Sequence, residues 1–322
     1  MPLEKQFKEN KGEKYIDELT KAFWFYLRKD NDSIAEKGIY QALKKKIDNS
    51  ENDIQTELDD LIRFVNYYQR LNFENQEPEP KLRQWFQRLI RLDFKTCQVF
   101  LLNIYRDYED SRLSLEDFEK ILCYLESYFV RRLFAEIPTN ILGKLFDKLY
   151  EEVTKENPQN LVDGLYKVLK KYDKNKSWPE DDRFSEGIIT KTVYRKTGSN
   201  DRVKLLLERL EGFENKERVN PEDLTIEHIM PQNINRSAEW KKILGSKHKD
   251  IHKKWVHTLG NLTLTGYNPE LSNKPFEVKK SIYQESGVSL NKYFRDLENW
   301  NEEEIKKRAE KLADLAIKVW PR

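Results

Sequence analysis

The sequence predicts a mainly α protein in two parts: an N-terminal helical domain over residues 1–180, then an α+β domain over 181–322 with flanking helices. Three observations predict it. Apolar residues recur at helical spacing through residues 1–215. After Asn220-Pro221 the texture changes, and short β-prone runs appear. All four histidines, His228, His248, His252 and His257, lie in that second part, within one 30-residue stretch.

Taken in order, Tyr15-Ile16, Leu19, Phe23 and Phe25-Tyr26 mark a first amphipathic helix, and Ile54, Leu58, Ile62, Val65 and Tyr68 a second. Phe118, Ile121, Leu122, Leu125 and Phe129 form one helical stripe, and Ser114-x-x-Asp117 ahead of it resembles a capping box. Further helices fit 82–92, 97–107, 140–155, 160–172 and 200–213. The breaks fall at 77–80 (EPEP), Ile137-Pro138, Asn157-Pro158 and Trp178-Pro179. No G-x-x-x-x-G-K and no G-x-G-x-x-G occurs, so neither phosphate-binding fingerprint places a nucleotide here. In the second part Leu224-Thr225-Ile226 is short and β-prone, and 238–256, rich in Lys and Trp, reads as helical or irregular. Leu262-Thr263-Leu264-Thr265 alternates apolar and hydroxyl side chains, the pattern of a half-buried strand that Gly266 ends. Asn268-Pro269 and Asn273-Lys274-Pro275 are rival starts for the next helix, and a helix over 301–319 closes the chain.

Composition narrows the function classes. Hydrophobic residues at 38% suffice for packed cores. The 58 basic and 56 acidic residues leave a net charge of only +2, so local charge must speak instead. Residues 51–60 carry five acids and no base, whereas Lys241 to Lys280 hold nine lysines against Asp250, Glu270 and Glu277. Cys97 and Cys123 lack metal-ligand spacing and read as free buried thiols in a reducing compartment. With no signal-peptide core and no apolar run near the ~18–20 residues of a membrane span, the chain reads as cytoplasmic.

Phosphodiester hydrolysis needs a base for water near neutral pH and a hard cation beside the departing oxygen. Glu227-His228 supplies a carboxylate and an imidazole side by side. Asn261, opening the second strand, is placed to hydrogen-bond across to the backbone carrying the histidine. Asn273 brings an amide oxygen suited to Mg²⁺. Lys274, Lys279 and Lys280, with Lys253 and Lys254 from the lysine run, lie where a phosphate backbone would pass. Adjacent strand residues face opposite ways, so Glu227 is either a ligand or a residue of the other face. His248 and His252 read as a solvated pair, Trp240 and Trp255 as core anchors.

The run E-H-I-x-P-Q (227–232), then H-x-x-G-N-L-T-L (257–264), then N-x-x-L-S-N-x-x-F-x-x-K (268–279) resembles the His-Asn-His (HNH, His-Me finger, ββα-metal) nucleases. More narrowly it is similar to the C-terminal nuclease domain of GmrSD-type (type IV) restriction enzymes and related phage-defence proteins. The resemblance covers about 182–285, including Tyr194 and the Leu207-x-x-Leu-Glu-Gly lead-in. It implies His228 as general base, Glu227 as a metal-ligand position, Asn261 in a structural role and Asn273 as last ligand, with Asn268 competing. One divalent ion, Mg²⁺ before Mn²⁺ or Ni²⁺, and a DNA substrate, modified or not, are implied with it. For His257 both a supporting role in the site and a plain structural role stay open. Such enzymes commonly carry a ParB-like nucleotide-hydrolysing domain with a D-G-Q-Q-R-type motif, absent from this sequence. Nucleotide dependence would then come from a partner domain or subunit. A catalytically degenerate binding module, or an RNA-cleaving relative, are the competing readings.

Overall fold

The computed structural model describes residues 3–29, 34–93, 95–215, 223–235, 237–266 and 271–322. Asn220-Pro221 and Asn268-Pro269 lie outside them. The chain forms two compact units, one of residues 1–126 and 138–178, the other of 127–137 and 179–322. Sequence gave no sign that the short segment 127–137 goes with the later part.

Among the described residues the regular structure of the first unit is helical: α1 (Leu3–Lys11), α2 (Tyr15–Arg28), α3 (Ile39–Asp48), α4 (Ile54–Asn72), α5 (Pro80–Arg91), α6 (Gln98–Glu109), most of α7 (Leu115–Phe134), α8 (Leu142–Glu156) and α9 (Leu161–Lys171). Local chemistry sets the starts. Asp53 accepts from Thr56 N at 3.0 Å, Ser114 from Asp117 N at 3.1 Å and Asn160 from Asp163 N at 3.0 Å, each satisfying a first-turn N–H. Pro80 opens α5, where no N–H is missed. The Tyr105 ring anchors the core between Tyr67, Phe86 and Phe118. The stripe expected on α4 is only half right: Val65 and Tyr68 are buried, but Ile54 stays 65% exposed and Leu58 and Ile62 also face outward.

The second unit continues with α10 (Asp181–Thr190), α11 (Asp201–Glu214), β1 (Thr225–His228), α12 (Ala238–Leu244), α13 (His248–Trp255), β2 (Leu262–Thr265), α14 (Phe276–Glu285) and α15 (Glu302–Val319). β1 and β2 pair antiparallel, with His228 opposite Leu262 and Glu227 opposite Thr263. The strand at 262–265 has the expected bounds but is buried on both faces. Its hydroxyl side is covered because Thr263 donates to Asn291 Oδ1 at 2.6 Å, while Asn291 donates to Leu264 O at 3.0 Å. Trp240 and Trp255 are core residues, as expected of anchors at the ends of the lysine run.

α15 packs on the 3-10 turn at 259–261 that leads into β2. Gly260 permits this approach: a Cβ there would meet Ile305 O at 2.8 Å. Arg308, fully buried on α15, donates to the carbonyls of Gly260 (2.8 Å) and Leu262 (2.7 Å), closing orphan acceptors of the turn. Burial pushes its guanidinium down to about 10. The turn that carries Asn261 is thereby held from behind.

Candidate active site on the two-stranded sheet

β1 and β2 place two neighbours in opposite surroundings, as strand alternation requires. His228 is 6% exposed, and its Nε2 lies 3.1 Å from His257 Nδ1. Their rings stand nearly perpendicular, centroids 5.2 Å apart. Tyr194 completes the cluster, stacked on His257 at 5.5 Å and edge-on to His228 at 4.5 Å. Tyr194 gets there because Val193 N donates to His257 O at 2.9 Å, next to the Thr192–Thr258 bridge. Burial, then the neighbouring His257, Lys279 and His252, pushes His228 down to about 3, so its ring is neutral at physiological pH. Burial lowers His257 as well.

Asn261 is fully buried and spends its whole amide on backbone and indole. Its Oδ1 accepts from Met230 N (2.8 Å) and Trp300 Nε1 (2.9 Å), and its Nδ2 donates to Met230 O (2.9 Å) and Val256 O (3.0 Å). One side chain thus ties the segment after His228 to the segment before His257. Only an amide offers both polarities in that geometry.

On the other face Glu227 Oε1 accepts from Lys279 Nζ at 2.5 Å, and the same ammonium donates to His228 O at 2.7 Å. Lys279 has no exposed side-chain surface. Burial raises Glu227 and lowers Lys279, each opposed by the other's charge. Tyr283, whose buried hydroxyl has no hydrogen-bond partner among the described residues, sits close enough to Glu227 for its own ionisation to be suppressed further.

The expected residues therefore separate. His228, His257, Asn261, Glu227 and Lys279 come together around β1. Lys279 is an internal ion-pair partner, which corrects its expected place on a phosphate path: Phe276, Lys279 and Tyr283 form the buried stripe of α14. Lys280 is also engaged, donating to Leu297 O at 2.7 Å. Lys253, Lys254 and Lys274 are exposed, Lys254 lying over the Trp255 ring. Asn273 occupies an exposed turn before α14, and Asn268 lies outside the described residues. His248 is half-buried with its Nδ1 3.1 Å from Gly245 O, and His252, read as solvated, donates to Pro231 O at 2.8 Å and steadies the loop after His228.

Among the described residues no group of three or more His, Cys, Asp or Glu side chains is placed to hold an ion. Glu227 already holds a cation, Lys279, on the face away from the His228 ring. Sequence reasoning missed Arg308, Trp300 and Asn291. Arg308 left a signal, a charge at a core register of the Ile305–Leu312 stripe.

Residues 178–315 match the family model of the GmrSD restriction endonucleases, C-terminal domain. The matched segment contains the sheet, the imidazole pair, Asn261 and most of α15. No curated protein matches the chain.

Proposed function

We propose that the GmrSD-type domain is a DNA endonuclease of the modification-dependent restriction and phage-defence kind, with His228 as general base. The observation that carries this is the neutral, buried imidazole at the end of β1, backed by His257 and Tyr194 and framed by the Asn261 clamp. In the proposed step an O–H bond of water breaks and its proton passes to His228. The oxygen attacks phosphorus, and the bond to the leaving 3′ oxygen breaks. A scissile phosphate beside the ring favours the imidazolium and lifts the basicity that burial has lowered. Exposed Lys253, Lys254 and Lys274 would line the path of the DNA backbone.

The resemblance implies Mg²⁺, or else Mn²⁺ or Ni²⁺, which would offset charge at the scissile phosphate. With Glu227 held by Lys279, the asparagine, Asn273 or its rival Asn268, is the remaining proposed ligand, and the ion enters as an arm of the assay. A ParB-like nucleotide-hydrolysing domain or subunit is the proposed partner, on the resemblance alone.

The test is cleavage of modified DNA, plain DNA and RNA, each with Mg²⁺, Mn²⁺, Ni²⁺ or chelator and with or without nucleotide. His228→Ala is expected to lower DNA cleavage by about 10²–10⁴-fold while circular dichroism shows the fold intact. Unchanged cleavage by that variant sinks the assignment. Binding without cleavage under every cation favours the degenerate module, and cleavage of RNA alone the RNA-cleaving relative.

A further inference from the structure

Two neutral imidazoles 3.1 Å apart share a single proton, and its position decides which nitrogen of His228 is basic. Suppose His257 Nδ1–H donates to His228 Nε2. The proton of neutral His228 then sits on Nδ1, and both of its nitrogens are spent. Suppose instead that His228 Nε2–H donates to His257 Nδ1. A lone pair is then left on His228 Nδ1, an atom with no hydrogen bond among the described residues. His257 Nε2 is buried without a partner among them in either arrangement, so it does not choose between the two.

Only the second arrangement leaves His228 a lone pair for a water proton, so a general base at His228 requires His257 as the acceptor. Its carbonyl is fixed by Val193 N at 2.9 Å and Tyr194 N at 3.3 Å, the preceding carbonyl of Val256 by Asn261 Nδ2, and its ring is stacked on Tyr194. The ring is thus held with Nδ1 facing His228. We propose that His257 is the positioning residue that fixes the Nε2–H tautomer of His228, making Nδ1 the basic nitrogen. This rests on the nuclease reading above. In the reaction the water proton forms the N–H bond at Nδ1. The resulting imidazolium keeps donating Nε2–H to His257, which offsets the cost of a positive ring near Lys279 and His252. Deprotonation by solvent restores the neutral ring. His257 does not touch the reacting atoms; it sets which end of His228 does.

The experiment uses the full chain with ¹⁵N-labelled histidine, since only four rings give signals. Long-range ring correlations near neutral pH are expected to show His228 protonated at Nε2 and bare at Nδ1, with His228→Ala assigning the signal. His257→Asn keeps an acceptor oxygen near the place of Nδ1, whereas His257→Leu removes it. The Asn variant is expected to keep the tautomer and most of kcat. The Leu variant is expected to mix tautomers and lose about 10- to 100-fold in kcat, as loss of an orienting partner does, with KM little changed. His228 found protonated at Nδ1 in the unaltered protein overturns the inference, as does wild-type kcat in folded His257→Leu. Full activity of His228→Ala would instead overturn the nuclease reading. If no substrate is cleaved, the ring spectra still decide the tautomer.

Discussion

Glu227 and His228 are consecutive on one strand, yet they meet opposite kinds of environment. Glu227 faces an ammonium, Lys279, sealed into the core with it. His228 faces two rings, carries no charge, and has no counter-ion within hydrogen-bond reach among the described residues. Both faces bury polar groups, but they solve the desolvation cost differently. One side keeps charge and pairs it; the other gives up charge and keeps a lone pair. A buried ion pair that also grips the His228 carbonyl serves to fix the strand. In the proposed reading, a neutral imidazole on the fixed strand is what remains available to water.

The largest expected effect comes from breaking the charged face. Lys279→Met leaves the Glu227 carboxylate buried without its cation, a change that typically costs about 3–5 kcal/mol. Denaturant unfolding measures it, and Glu227→Gln combined with Lys279→Met is expected to recover part of the loss. A cost under about 1 kcal/mol for Lys279→Met would show that the pair does not hold this face. The destination of Lys279 was readable. Phe276, Lys279 and Tyr283 recur at helical spacing, and only the default that a lysine faces water hid it. Arg308 follows the same rule on α15.

A smaller effect is expected from the clamp that joins the two faces. Asn261→Ala deletes four hydrogen bonds and leaves Met230, Val256 and Trp300 polar groups buried and unmet. A loss of about 2–4 kcal/mol follows if two of those groups stay dry at ~1–2 kcal/mol each. Urea unfolding checks this, and a loss below about 0.5 kcal/mol would show the clamp to be dispensable. The two strands and the G-N-L turn were legible because local pattern encodes them. Partners were not. Trp300 follows Asn261 by 39 residues, and nothing near either one announces the bond. The burial of β2 on both faces was hidden for the same reason, since Asn291, which meets Thr263, comes from a later turn.

The smallest effect per unit change is the pH dependence of stability, and it separates the two faces by sign. His228 has a folded value of about 3 against an ordinary 6.5. Between these, the unfolded chain binds a proton that the folded chain refuses. Stability is therefore at its full value above pH 6.5 and falls with decreasing pH toward 3, by about 1.4 kcal/mol per pH unit for this one group. His257, also lowered by burial, adds in the same direction. Glu227 is raised above 4.5, so the folded chain binds its proton first, and its contribution is lost as pH rises through the raised value. The faces oppose each other in mildly acid solution. His228→Gln is expected to flatten the acid-side fall, and Glu227→Gln to steepen it, in urea unfolding repeated across the acid range. If His228→Gln leaves the slope unchanged, the imidazole is not the neutral, desolvated group that its geometry requires, and the contrast between the two sides of β1 collapses.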